Sequence, residues 1–230
     1  NATFYKIPEP ETVGRWAEQV PSDFKFVVKI PKQISHDQPL TECVKPLGIF
    51  LENLRPFREK LGLVFLQLPP HFGPDRRSEL AFFCREFQTS GFKLAIEFRE
   101  RSWFDHGVFN LKAAQWFSDQ GISLVITDTT TRRDVSHSVV TTDSVMVRFL
   151  GNELHPTDYS RIDAWVERLA AWAQSGVREI YFFMHQPEER TAPDLLNTLY
   201  KRIESMDGIS ARFSMTADSV SPSASQISLF

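Results

Sequence analysis

Apolar positions along the chain gather into short continuous runs, each followed by a stretch in which they recur every three or four residues. The runs are Phe24 to Ile30, Leu63 to Leu68, Lys93 to Phe98, Ser123 to Thr127, Val145 to Phe149 and Ile180 to Met184. Continuous runs of this kind mark parallel strands covered on both faces. Helical periodicity runs through Pro10 to Val20, Val44 to Leu61, Ser78 to Thr89, Val108 to Gln120, Asp158 to Ser175 and Ala192 to Met206. Asp158 and Ser160 suit a helix start, and Gly121 and Gly176 a helix end. Asp128 to Asp143 reads as polar loop, and Asn1 to Tyr5 as the end of one more strand.

Strand ends recur roughly every 31 residues, the unit length of a (β/α)8 barrel of about 250 residues. Ten glycines with no GxGxxG or Walker-type loop weigh against a doubly wound nucleotide-binding sheet. The expected fold class is therefore α/β, a TIM (β/α)8-type barrel whose first strand and helix are missing from this chain. One barrel domain is expected over residues 1–213, followed by a flexible Ser-rich tail over 214–230.

Composition narrows the function classes. The net charge of −3 argues against a tail-driven nucleic-acid binder, although it leaves room for a local basic groove. No run approaches the length of a membrane span. Cys43 and Cys84 cannot build a disulfide framework, and with no secretory signal the expected compartment is the cytoplasm.

The candidate chemistry sits where the apolar runs stop. Lys29, Gln67, Glu97 with Arg99, Asp128, Arg148 and His185 end successive strands, the rim on which barrel enzymes build their sites. Side chains alternate along a strand. Glu97 and Arg99 thus share a face with the small Ala95, which suits a crowded interior, while Leu94, Ile96 and Phe98 face the helices. The same parity groups Lys29 with Val27 and Arg148 with Met146. Three cations against Glu97 and Asp128 favour an anionic ligand such as a phosphate or carboxylate. Glu97 or Asp128 would serve as general acid or base, and His185 as a second proton carrier. A structural ion-pair network would use the same residues. The sequence leaves the cofactor unknown and by itself requires none. A divalent metal on Glu97, Asp128, His185 and His36 is the competing use, but no HxH, HxxxH or HExxH spacing supports it. His71, His106, His137 and His155 read as surface loop histidines, and Pro69-Pro70 as a rigid turn aiming Gln67 inward.

Several blocks resemble the YecE-like family, domain of unknown function 72. They are Asn1-Ala2-Thr3-Phe4-Tyr5 with Pro8, Glu11-Thr12 and Trp16, and Phe26-Val27-Val28-Lys29 with His36. Further on come Gln67-Leu68-Pro69-Pro70-His71-Phe72, Glu97-Phe98-Arg99 with Ser102-Trp103, Val147-Arg148-Phe149 with Gly151, and Phe183 with Ala192-Pro193. The resemblance implies a TIM-type barrel with an additional upstream strand and helix. It also implies a site at Tyr5, Lys29, Gln67, Glu97, Arg99, Asp128 and Arg148, of which Tyr5, Lys29, Gln67, Arg99 and Arg148 would bind substrate. The final Gln226-Ile227-Ser228-Leu229-Phe230 resembles the bacterial sliding-clamp-binding peptide, with Gln226, Leu229 and Phe230 as anchors. The leading expectation is an enzyme acting on an anionic, phosphate-containing substrate, linked to nucleic-acid maintenance if the tail docks on a clamp. The alternative is a non-catalytic barrel that binds a metabolite or nucleic acid and acts through a partner protein.

Overall fold

All six apolar runs become strands, and the helical stretches lie between them. In a computed structural model that describes residues 2–204 and 206, the strands are β1 (Phe26–Lys29), β2 (Leu61–Gln67), β3 (Leu94–Glu97), a two-stranded excursion of β4 (Phe104–Asp105) and β5 (Val108–Phe109), β6 (Ser123–Asp128), β7 (Ser144–Leu150) and β8 (Glu179–His185). The helices are α1 (Ala2–Tyr5), α2 (Pro10–Glu18), α3 (Lys32–Ser35), α4 (Val44–Asn53), α5 (Arg77–Gln88), α6 (Leu111–Asp119), α7 (Pro156–Gln174) and α8 (Ala192–Glu204). The main sheet has the order β1-β2-β3-β6-β7-β8, and every neighbouring pair is parallel.

The sheet curls into a nearly closed barrel. Lys93, at the foot of β3, donates across to Glu179 of β8 at 2.6 Å. A Cβ added at Gly62 of β2 would lie 2.5 Å from the Tyr181 hydroxyl of β8. Neither contact joins neighbouring strands, so the sheet must be strongly curved. Only glycine at 62 lets the Tyr181 ring fill the centre.

Two apolar layers follow from this geometry. Leu63, Phe65, Ala95, Val125 and Met146 pack inside the barrel with Val27, Tyr181 and Phe183. The opposite strand faces pack on the helices: Leu80, Phe83 and Phe87 of α5 are buried beside Ile96, and Trp165 and Leu169 of α7 lie beside Val147 and Phe149. Burying each such side chain contributes about 1.5–3 kcal/mol. Cys43 and Cys84 are free and buried. No described helix is long and apolar enough to cross a membrane.

Several local expectations are corrected. Where a strand end was expected, Ala2–Tyr5 forms a helical turn, held where it is because the Thr3 hydroxyl donates to the Lys29 carbonyl at 2.7 Å. The helix expected to run to Leu61 stops at Asn53, since Pro56 cannot continue it and Arg58 takes a φ of 49°. The helix expected from Val108 begins at Leu111. Asn110 caps it by accepting from the Ala113 amide, while Val108 and Phe109 pair with Phe104 and Asp105. Helix α7 starts at Pro156 with His155 as its cap, and Ser160 lies inside it. Asp158 is instead wholly buried, accepting from the Asn152 amide at 2.7 Å and from Arg161 at 3.2 Å. His137 is no surface histidine: it sits against Phe104 and Phe109 with Nε2 3.2 Å from the Val125 carbonyl. The tail, with Gln226, Leu229 and Phe230, lies outside the described residues.

Candidate active site at the barrel mouth

Strand parity brings the polar strand ends together at the carboxyl end of the barrel. Lys29 pairs in register with Phe65, Gln67 with Glu97, Thr127 with Arg148, and Leu150 with His185. Lys29, Gln67, Glu97 and Arg148 each follow an interior residue by two positions, so all four point into the mouth. A hydrogen-bonded chain links them. Lys29 Nζ donates to Gln67 Oε1 at 2.9 Å, and Gln67 Nε2 donates to Glu97 Oε2 at 2.9 Å. Arg148 donates to the same carboxylate oxygen at 2.6 Å. Gln67 thus spends both halves of its amide positioning two charged groups.

Electrostatics follow from burial. Glu97 is 2% exposed. Burial by itself opposes its ionisation, but the Arg148 charge, the hydrogen bonds from Gln67 and Arg148, and the nearby Arg99 outweigh it and hold the carboxyl below its usual range. The Lys29 ammonium is pushed down to about 8, chiefly by burial and then by Arg148 and Arg99, with Glu97 opposing. Phe4 of α1 lays its ring 4.0 Å from Lys29 Nζ and meets His36 edge-on. Burial, followed by the charges of Lys29 and Arg99, lowers the His36 pKa. Burial and then Arg148 lower that of His185 to about 4, leaving a neutral imidazole at pH 7.

Two of the blocks that resemble the family touch each other here. Trp103, which follows Glu97-Phe98-Arg99, donates its indole N–H to the carbonyl of Phe72, at the end of Gln67-Leu68-Pro69-Pro70-His71-Phe72, at 2.8 Å. The Phe98 ring packs at a tilt against Trp103, with centroids 4.7 Å apart, and against Phe109, with centroids 5.0 Å apart. This aromatic knot braces the segment that carries Arg99, whose carbonyl also accepts from Arg132 at 3.2 Å.

Two expected residues lie elsewhere. Asp128 shares a strand face with Leu124 and Ile126, which looks towards the helices. It accepts from Trp165 of α7 at 2.7 Å, from Arg133 at 2.7 Å and from Arg161 at 3.3 Å. Val125 and Thr127 are the inward residues of β6, so the buried Thr127 hydroxyl, with no hydrogen-bond partner, faces the mouth instead. Tyr5 is 82% exposed, its ring edge-on to Phe4 at 5.3 Å. Phe4, one residue earlier in the same block, is the aromatic that reaches the site. Among the described residues no three His, Cys, Asp or Glu side chains converge as metal ligands. A cavity of about 370 Å³ beside Asp128 and His137 and an apolar groove of about 560 Å³ between α5 and α6 are both lined without Lys29, Glu97 or Arg148.

Known proteins give the frame for this geometry. The family model described as "Protein of unknown function DUF72" matches residues 1–217. The UPF0759 protein YecE of Escherichia coli (strain K12) is 30% identical over 219 residues, spanning 87% of this chain and 79% of that protein. The UPF0759 protein YunF of Bacillus subtilis (strain 168) is 29% identical over 129 residues, 50% of this chain and 45% of its own. Two crystal structures of a DUF72 family protein from Enterococcus faecalis V583 superpose with TM-scores of 0.73 and 0.72 at 22% and 23% identity. They cover 92% and 89% of this chain, and 86% and 88% of theirs. That likeness establishes the barrel fold.

Proposed function

This chain belongs to the DUF72 family, and from that membership together with the geometry of its barrel mouth we propose an enzyme that acts on a small anionic substrate, one bearing a phosphate or carboxylate. The observation that carries the reading is an imbalance of charge. Lys29, Arg99 and Arg148 face a single carboxylate, Glu97, whose Oε2 already serves both Gln67 and Arg148. Among the described residues neither Lys29 nor Arg99 has a carboxylate within ion-pair distance. Half-buried cations without counter-ions are costly, and an anion in the mouth removes that cost. Arg99 and Arg148 would hold the anionic group. Ionised Glu97 and neutral His185 would be weak proton acceptors at pH 7, since both pKa values are lowered.

Thermal unfolding with inorganic phosphate or sulfate tests the binding. At ten times Kd the anion adds about 1.4 kcal/mol, a rise of about 3–6 °C for a chain of this size. Arg99→Ala should abolish most of that rise. No rise in the parent protein, or the same rise in Arg99→Ala, would overturn the reading.

For Gln226-Ile227-Ser228-Leu229-Phe230 we propose docking on a bacterial sliding clamp. The segment carries the Gln226, Leu229 and Phe230 anchors of the clamp-binding peptide it resembles, and it falls beyond residue 217, where the family match ends. Titration against a purified clamp should show binding that Leu229→Ala/Phe230→Ala removes. Equal binding by both proteins, or none by either, would refute the docking.

A further inference from the structure

We propose that Lys29 is a carbonyl-reactive amine, so that the substrate class of the mouth is an aldehyde or ketone bearing a phosphate or carboxylate, captured as a Schiff base. The proposal rests on the anion-site reading and adds the reactive group. Its basis is the setting of Nζ. Lys29 ends an interior strand position at the rim of the barrel, and its hydrogen-bond acceptor is a neutral amide oxygen, Gln67 Oε1, at 2.9 Å. Other lysines are placed differently: Lys93 pairs with Glu179, Lys32 with Asp37, and Lys60 with two backbone carbonyls. The one carboxylate near Lys29, Glu97, is bound by Gln67 and Arg148.

The charged and titratable groups around Nζ come from every wall of the mouth. Arg148 of β7 and Arg99 after β3 repel the ammonium, Glu97 of β3 attracts it, and His36 and His185 are neutral rings whose own protonation Lys29 opposes. The Phe4 face at 4.0 Å favours the ammonium, yet burial and the two arginines prevail and bring it to about 8. A desolvated lysine beside other cations is the arrangement that exposes a free amine at neutral pH. At pH 7 roughly a tenth of Lys29 is then free amine, on the order of a hundredfold more than for an ordinary lysine.

The step balances without any further reagent. The Nζ lone pair attacks the carbonyl carbon and forms the C–N bond, while the C=O π pair moves to oxygen. The carbinolamine then forms C=N as the C–O bond breaks, and both amine protons leave with the oxygen as one water. Arg99 and Arg148 would hold the anionic end of the same molecule. The buried, unpartnered Thr127 hydroxyl, facing the mouth beside Arg148, is a donor for the departing oxygen.

Pyridoxal 5′-phosphate, an aldehyde that carries a phosphate, is a direct probe. The full chain is treated with it at pH 7, reduced with borohydride and mapped by mass spectrometry. Lys29 should be modified about tenfold faster than the exposed Lys6 and Lys45, with a rate that rises through pH 8 and falls when inorganic phosphate is added. Pyridoxal without its phosphate should react more slowly, and Lys29→Arg should lose the early adduct. Phosphate that raises the unfolding temperature while Lys29 reacts no faster than Lys6 would overturn the Schiff-base proposal and leave the anion site standing. Fast labelling of Lys29 that phosphate does not slow would sustain the reactive amine and overturn the anion site.

Discussion

Replacing Arg148 by Met tests the ion pair at the heart of the mouth. Arg148 lies 2.6 Å from Glu97, with side chains 18% and 3% exposed. Methionine keeps much of the aliphatic volume but leaves the Glu97 carboxylate with Gln67 Nε2, at 2.9 Å, as its remaining hydrogen bond. Breaking a fully buried pair costs about 3–5 kcal/mol, and the partial exposure of Arg148 argues for the lower end, about 3 kcal/mol. For a chain of this length that is a fall of about 6–12 °C in unfolding temperature. The pH dependence is the sharper test. In the parent protein the folded Glu97 pKa lies below its usual value, so its contribution is complete above that value and is lost as pH falls through the lower, folded one. Without Arg148, burial dominates and raises the folded value instead, so the variant gains on the parent as acid neutralises Glu97. Urea midpoints should therefore show a deficit of about 3 kcal/mol at pH 7 that shrinks by pH 4. A variant as stable as the parent at pH 7, or a deficit unchanged at pH 4, would refute the reasoning.

Asp128→Ala should cost about 3 kcal/mol, because Arg161 and Trp165 lose a buried partner, yet leave the phosphate-induced rise in unfolding temperature intact. Loss of that rise would return Asp128 to the mouth. His137, held to about 4 by burial, stays neutral in the fold while the unfolded chain takes up a proton as pH drops below its ordinary value near 6.5. Its folded pKa is depressed, so stability is lost between about pH 6.5 and pH 4, by up to about 1.4 kcal/mol per unit. Urea titrations should show a shallower decline over that window in His137→Gln. Gly62→Ala should cost about 1–3 kcal/mol through its clash with the Tyr181 ring, and Tyr181→Phe, which removes the nearest atom, should recover part of it in chemical denaturation.

The order of strands and helices, and the inward turn of Lys29, Gln67, Glu97 and Arg148, are legible in one dimension because they follow from period and parity. At Ala95 a small residue marks which face is interior, and Glu97 follows from it two positions on. Ser123 to Asp128 offers no such mark. Parallel strands are apolar on both faces, so Leu124 and Ile126 look no more external than Val125, and Asp128 can be assigned only once Trp165 and Arg161 are seen to meet it. The same limit explains His137, whose polar loop conceals its packing on Phe104 and Phe109, and Tyr5, whose neighbour Phe4 reaches Lys29 because Thr3 bonds to a carbonyl 26 residues away. Composition and spacing set which residues end the strands. The union of Glu97 with Arg148, 51 residues apart, exists only because the sheet curls, and curvature is a property of the packed whole, not of any one segment.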